Sequence, residues 1–288
     1  LLFRICRATD IGMMSVITAQ RKMGNEGIKM SRYQASFYHF LISLSVFVVL
    51  AYLVLFVWYP DFFYAIDGGW EGMRIIIGVD LILGPVLTLV VFKAGKPGLK
   101  FDLAAIGIFQ SACLAAGVYI VYSERPIFFI YHEKHFYSSS ADTFTSYGVE
   151  TPDPYQYDDV LPAKVVSSLG INPIEEADLR RILFQDHIPV WVYKLTYRPL
   201  DGYLGEVVKN GVPEAVMRER DIQGNLDRWL AKYGGRFDDY AFIPIHSRYR
   251  DAFLGVQKSN GIFIDIVEIP APLVTISDEE AMSVPGPE

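Results

Sequence analysis

Three long apolar runs in the first half of the chain constrain the fold more than any other feature. Phe40 to Tyr59 is twenty residues without a charge, Ile75 to Phe92 is eighteen interrupted only by Asp80, and Leu103 to Ser123 is twenty-one without a charge. Crossing about 30 Å of hydrocarbon takes roughly 17–25 helical residues, so each run is long enough to span. As buried helices of a soluble core, three such runs in succession would need a shell of further elements that the chain lacks. The spacing therefore predicts three transmembrane helices.

Charge divides the rest. Residues 37–122 hold nine charged residues in 86 positions, whereas residues 123–288 hold 42 in 166, as a soluble domain would. The slightly positive mean hydropathy of +0.24 thus averages two opposed compositions. The net charge of -7 and the lack of a basic stripe exclude a nucleic-acid binder, and two cysteines exclude a disulfide scaffold or a multi-cysteine zinc module. Cys113 reads as a small packing residue, and no lipobox precedes Cys6.

Basic residues near the spans set the expected orientation. Arg4, Arg7, Arg21, Lys22, Lys29 and Arg32 precede the first span. The loop from Pro60 to Arg74 is acidic through Asp61, Asp67 and Glu71, and the second loop carries Lys93, Lys96 and Lys100. A cytoplasmic N-terminus, an external first loop and a cytoplasmic second loop satisfy every term, and the third helix then exports all that follows. In a bacterium that side is the periplasm. The expected organisation is a cytoplasmic segment over 1–36, a three-helix transmembrane domain over 37–123, a periplasmic α+β domain over 124–276 and a disordered acidic tail over 277–288. Residues 1–29 lack helical or strand period and precede Met30-Ser-Arg-Tyr. They read as upstream sequence translated from an early start, or as a disordered cytoplasmic tail.

In the exported part, Pro126 to His132 and Lys134 to Tyr137 read as a hairpin turning near Glu133 and Lys134. A loop is expected from Tyr147 to Tyr157. Asn172-Pro-Ile-Glu175 reads as a capped helix start, and Val190 to Tyr197 has strand composition. A helix is expected from Pro213 to Tyr233, with a break possible at Gly224, ended by Gly234-Gly235. A meander of Ala241–Ile245, Asp251–Gln257 and Gly261–Ile269 closes the domain, with Ser259-Asn260-Gly261 as its tight turn.

Catalytic signatures are absent: the sequence has no nucleophile elbow, phosphate loop, His-Glu-x-x-His or dinucleotide glycine pattern. His132 and His135 read as turn-flanking surface histidines, Ser138-Ser-Ser140 as a strand end, and Asp158-Asp159 and Asp238-Asp239 as solvated turns. No catalytic residue, metal site or cofactor is assigned.

The membrane part is more informative. Asp80 falls within a span, at a depth of roughly 8 Å. An ionisable side chain there is costly and ordinarily faces a bundle interior. Tyr52 and Tyr119 are expected at comparable depth, as donors to Asp80. A structural lock of the three helices is preferred over proton transport, which would want further ionisable groups in the other spans. Gly84-Pro85 shapes the second helix, because Pro85 cannot donate to the Leu81 carbonyl. Ala104, Gly107, Ser111 and Ala115 form a small-residue face on the third, expected to pack within the bundle or else to receive a partner's helix. Lys93, Lys96 and Lys100 can meet lipid phosphates.

Several stretches resemble the TfpX/TfpZ family of type IV pilin accessory proteins. They are Met30-Ser-Arg-Tyr, Val57-Trp-Tyr-Pro60, Gly78-Val-Asp-Leu-Ile-Leu-Gly-Pro-Val-Leu-Thr-Leu89, Lys96-Pro-Gly-Leu-Lys-Phe-Asp-Leu103 and Arg125-Pro126. The resemblance covers about 100 residues closely and implies a non-catalytic inner-membrane protein of pilus biogenesis that assists assembly or surface display of a fimbrial pilin. Its expected partners are that pilin, the inner-membrane alignment proteins and membrane lipids. The competing reading is a membrane-anchored periplasmic enzyme or ligand sensor, which a pocket with convergent acids or histidines would favour.

Overall fold

The computed structural model describes residues 30–168 and 188–270. The expected helix start at Asn172, the acidic tail, Cys6 and the segment before Met30 lie outside the described residues. Three helices are long and apolar enough to cross a membrane: α1 (Arg32–Trp58), α3 (Gly69–Val91) and α4 (Leu99–Ser123), of 27, 23 and 25 residues. Their apolar side chains are largely exposed on the chain itself, as Ile42, Val90 and Ile108 illustrate. Such surfaces need hydrocarbon rather than water as solvent. The short helix α2 (Phe63–Ile66) lies between α1 and α3.

The chain divides into two compact units. One takes the chain up to Phe47 together with Ile77–Leu114; the other takes Val48–Ile76 and everything from Ala115 onward.

In the first unit, α3 is not a uniform helix. Ile77–Leu83 is a π-helical stretch, and regular α geometry resumes at Gly84 with Pro85 in the first positions of the new segment. A proline is tolerated there because no donor is needed from it. The wider turn thus absorbs what a proline in an uninterrupted helix would break.

The second unit is built on a seven-stranded mixed sheet in the order β4-β3-β1-β2-β5-β6-β7. The strands are β1 (Pro126–His132), β2 (His135–Ser140), β3 (Ala163–Ser167), β4 (Tyr197–Pro199), β5 (Tyr240–His246), β6 (Ala252–Gln257) and β7 (Phe263–Val267). The hairpin β1–β2 turns at Glu133 and Lys134, both with positive φ, as a two-residue hairpin turn requires. The strands β5, β6 and β7 form the expected meander, with Gly261 left-handed in its last turn. Two parallel pairings, β1 with β3 and β2 with β5, join hairpin and meander into one sheet. Phe128, Ile130, Phe144, Val165 and Tyr197 make one apolar cluster; Met217, Leu226, Trp229, Phe242 and Phe253 make another.

Several local expectations are corrected. Val190 to Tyr197 is not one strand: Val190–Val192 and Lys194–Thr196 are 3₁₀ turns, and only Tyr197–Pro199 pairs with β3. Local bonds win there, with Val192 N–H donating to the Pro189 carbonyl and Thr196 N–H to that of Tyr193, each at 3.0 Å. The expected long helix is α7 (Glu214–Arg220) and α8 (Asn225–Tyr233), parted at left-handed Gly224, with α6 (Leu204–Lys209) before them. Helix α5 (Ala141–Ser146) precedes the expected loop and is capped through Ser140 and Thr143.

The largest departure concerns the first loop. Tyr59, Phe63 and Ile66 are buried, Phe63 packs edge-on against Phe129 at 5.1 Å, and the Tyr59 hydroxyl donates to the Val121 carbonyl at 2.8 Å. The segment is a structural part of the sheet domain.

Candidate functional site

Polar side chains in the first unit gather where α1, α3 and α4 meet. Asp80, in the π-helical stretch, is only 6% exposed. His39 Nδ1 and Thr88 Oγ1 are hydrogen-bonded at 2.6 Å, and Ser36 Oγ donates to the Pro85 carbonyl at 2.9 Å. Gln110 of α4, also 6% exposed, presses its amide onto Gly84, where even a Cβ would lie 1.9 Å from its nitrogen. The buried Gln110 Nε2 has no hydrogen-bond partner among the described residues.

This arrangement revises the sequence reading. Tyr52 and Tyr119 are 60% and 71% exposed, and their hydroxyls have no hydrogen-bond partner among the described residues; Tyr52 packs instead on Phe56. Asp80 itself accepts no hydrogen bond among the described residues, so neither tyrosine is its donor there. The hydrogen bonds between α1 and α3 run through Ser36 and His39. The other spans do hold an ionisable group, His39. It escaped notice because the charge-free run begins one residue later, although α1 begins at Arg32. Gln110 was hidden for another reason, since a neutral amide does not interrupt a charge-free run. Gly84 and Pro85 are buried. The small-residue face of Ala104, Gly107, Ser111 and Ala115 is exposed rather than packed in the bundle. Lys93, Lys96 and Lys100 are exposed in the second loop, with Lys96 paired to Asp102 at 2.6 Å.

The second unit holds a different buried acid. Asp67, 4% exposed, accepts from Ser138 Oγ at 2.6 Å and from the Arg248 backbone N–H at 3.4 Å. Burial pushes its pKa up to about 7, against the weaker pull of those two bonds and the Arg248 charge. Beside it Ser247 Oγ and Tyr249 N–H donate to the Ile66 carbonyl, and Arg248 is ion-paired with Glu124. A cleft of about 420 Å³ opens here, with Asp67, Glu124 and His246 among its walls. His132 Nδ1 donates to the Ser167 carbonyl at 3.1 Å, while His135 stacks on His246 at 5.2 Å; among the described residues no group of three acids, histidines or cysteines is placed to hold a metal.

The fold defines the class: three apolar helices carrying a small α+β domain. Sequence comparison places it further. A family model described as "Fimbrial assembly protein FimB" matches residues 29–68. Three curated relatives from Dichelobacter nodosus align over 92 residues, 31% of this chain. The fimbrial assembly protein of serogroups C1 and C2 is 37% identical with 70% of its length covered, that of serogroup I is 37% identical with 35% covered, and that of serogroup E1 is 36% identical with 35% covered. The chain belongs to this fimbrial assembly protein family. It spans about a third of the length of the serogroup I and E1 relatives. No solved structure matches it.

Proposed function

We propose that this chain is an inner-membrane accessory factor of the TfpX/TfpZ type, which assists assembly or surface display of type IV pilin through contacts rather than catalysis. The observation that carries this reading is the 37% identity, over 92 residues, to proteins described as fimbrial assembly proteins, in a chain with three apolar spanning helices. The N-terminus is cytoplasmic and the sheet domain periplasmic in this reading. The positive flanks support that orientation. The bonding of Ile66 and Asp67, between the first two spans, to Ser247 and Ser138 of the domain fits both lying on one side of the membrane, in either orientation.

Within the membrane the contact surface is assigned to the exposed face of α4 at Ser111, next to the cluster of Asp80, Gly84 and Pro85. The lysines Lys93, Lys96 and Lys100 meet lipid phosphates on the cytoplasmic side. The polar cluster gives a partner helix something to recognise, because hydrogen-bonding groups in hydrocarbon find few competitors. Co-purification from cells tests the model: cognate pilin should accompany the full chain, and failure to capture it under crosslinking would end the contact reading. Pilus counts on deletion cells, with and without the retraction motor, then separate promoted assembly from opposed retraction. A second reading, a membrane-anchored ligand sensor, is favoured by the cleft beside Asp67.

A further inference from the structure

The cleft beside Asp67 has a definite place along the chain. Asp67 stands two residues before α3, and Glu124 directly follows α4. Helices of 23 and 25 residues extend about 34 and 37 Å at roughly 1.5 Å per residue, beyond the ~30 Å hydrocarbon layer. These ends therefore emerge at headgroup depth. Trp58 at the end of α1 and Tyr122 near the end of α4 pack edge-to-face at 5.4 Å, as residues of an interfacial aromatic belt do.

The lining has a consistent chemistry. Tyr137 and Trp191 stack at 4.6 Å and 9°, and Tyr147 meets Trp191 edge-on at 6.1 Å, so three aromatic rings border the cleft. Two carboxylates, Glu124 and Asp142, line the cleft with one guanidinium, Arg248, which Glu124 already pairs, and the Asp67 carboxyl, its pKa raised, lies buried behind them. Aromatic faces and the spare carboxylate of Asp142 together favour a cation, and disfavour a headgroup with net negative charge. A carboxylate accepts N–H donors, which a primary ammonium supplies and a quaternary ammonium does not. Arg248 retains further N–H donors for a phosphate ester beyond those used by Glu124.

From these groups we infer that the cleft binds the headgroup of an ammonium-bearing phospholipid, phosphatidylethanolamine, with the ammonium against the aromatic and carboxylate wall and the phosphate toward Arg248. The domain then reads the composition of the leaflet in which its helices stand. This inference rests on the helices spanning a membrane and not on the fimbrial reading, so either can fail alone.

The test uses the full chain, purified in detergent and titrated with short-chain phosphatidylethanolamine, phosphatidylglycerol or phosphatidylcholine, with binding followed by native mass spectrometry. Phosphatidylethanolamine should bind saturably and roughly ten-fold more tightly than phosphatidylglycerol, the scale of one desolvated cation–aromatic contact, and also more tightly than phosphatidylcholine, which offers the carboxylates no N–H donor. Trp191→Ala should remove most of the preference over phosphatidylglycerol. So should Tyr147→Ala, at an exposed position, whereas Lys93→Ala in the second loop should leave it unchanged. Soluble glycerophosphoethanolamine should compete, which locates recognition in the headgroup. Equal binding of the three lipids overturns the inference, as does a preference that survives both aromatic substitutions. Displacement by a lysine-bearing peptide, without any response to phosphatidylethanolamine, overturns it in favour of a peptide ligand.

Discussion

Two buried aspartates, one in each unit, behave as opposites. Asp67 is held by a hydroxyl and a backbone N–H, inside a set of bonds that ties the first loop to the sheet. Asp80 is as well buried, yet accepts no hydrogen bond among the described residues and lies in a π-helical stretch, a distortion frequent at functional sites. A hydrogen-bonded buried acid fits the structure it holds, whereas one without such a bond in a membrane helix fits the partner contact proposed above. The division between Asp67 as architecture and Asp80 as the proposed contact can be broken in four ways.

The largest effect is expected from the core of the second unit. Phe136 is fully buried and stacks on Phe129 at 4.3 Å, so Phe136→Ala should cost ~3–5 kcal/mol. Val90, on the exposed face of α3, should tolerate Ala within about 0.5 kcal/mol in the same thermal unfolding measurement in detergent. Equal losses would mean that the spans are packed like a soluble core.

Next comes the contact between α3 and α4. Gly84→Val should destabilise the bundle by ~1–3 kcal/mol through overpacking against Gln110, and Gln110→Ala should recover much of that loss. Without recovery in the double variant, Gly84 is not held by Gln110.

The aspartates themselves follow. At pH 6, where the Asp67 carboxyl is largely neutral, Asp67→Ala should cost ~1–3 kcal/mol by leaving the Ser138 hydroxyl unpartnered. Asp80→Leu strands no partner and should leave stability and abundance close to wild type while reducing piliation. If Asp80→Leu depletes the protein instead, the acid is a structural lock and the division drawn between the two residues collapses.

The last effect is a slope. Because the folded state raises the Asp67 pKa to about 7, the native protein binds more protons than the unfolded chain between the ordinary carboxylate range and that value. The group's contribution is complete at low pH and declines as pH rises toward 7, by at most about 1.4 kcal/mol per pH unit. Asp67→Asn should flatten that decline, as read from thermal midpoints between pH 4 and 8. Identical slopes in the two proteins would place Asp67 in contact with water.

The legible parts were those in which one residue type has one physical consequence. The hairpin turn at Glu133 and Lys134, the left-handed glycines at Gly224, Gly234 and Gly261, and the strands of the meander follow from local backbone preference and period. The Val190 to Tyr197 segment misled because strand composition reports fitness for a half-buried surface, and here Pro189 and local turns take the backbone first. At the membrane cluster, Asp80, Gly84 and Pro85 stood out because charge, glycine and proline are rare and consequential in a span. His39, Thr88 and Gln110 did not, since nothing local indicates which face of α1 or α4 turns toward Asp80.

By itself the sequence determined the three spanning helices, because length and uninterrupted hydrophobicity are properties of contiguous residues and the bilayer is their solvent. It likewise determined that a charged α+β domain follows them. Only the tertiary structure decided that residues 60–68 belong to that domain, that a cleft forms where Asp67 approaches Glu124 and Arg248, and that His39 bonds to Thr88 of α3 while Tyr52 and Tyr119 stay exposed. Those are pairings between residues tens to nearly two hundred positions apart. They are set by the parallel strand crossings and the facing of helices, which no local pattern of residue types encodes.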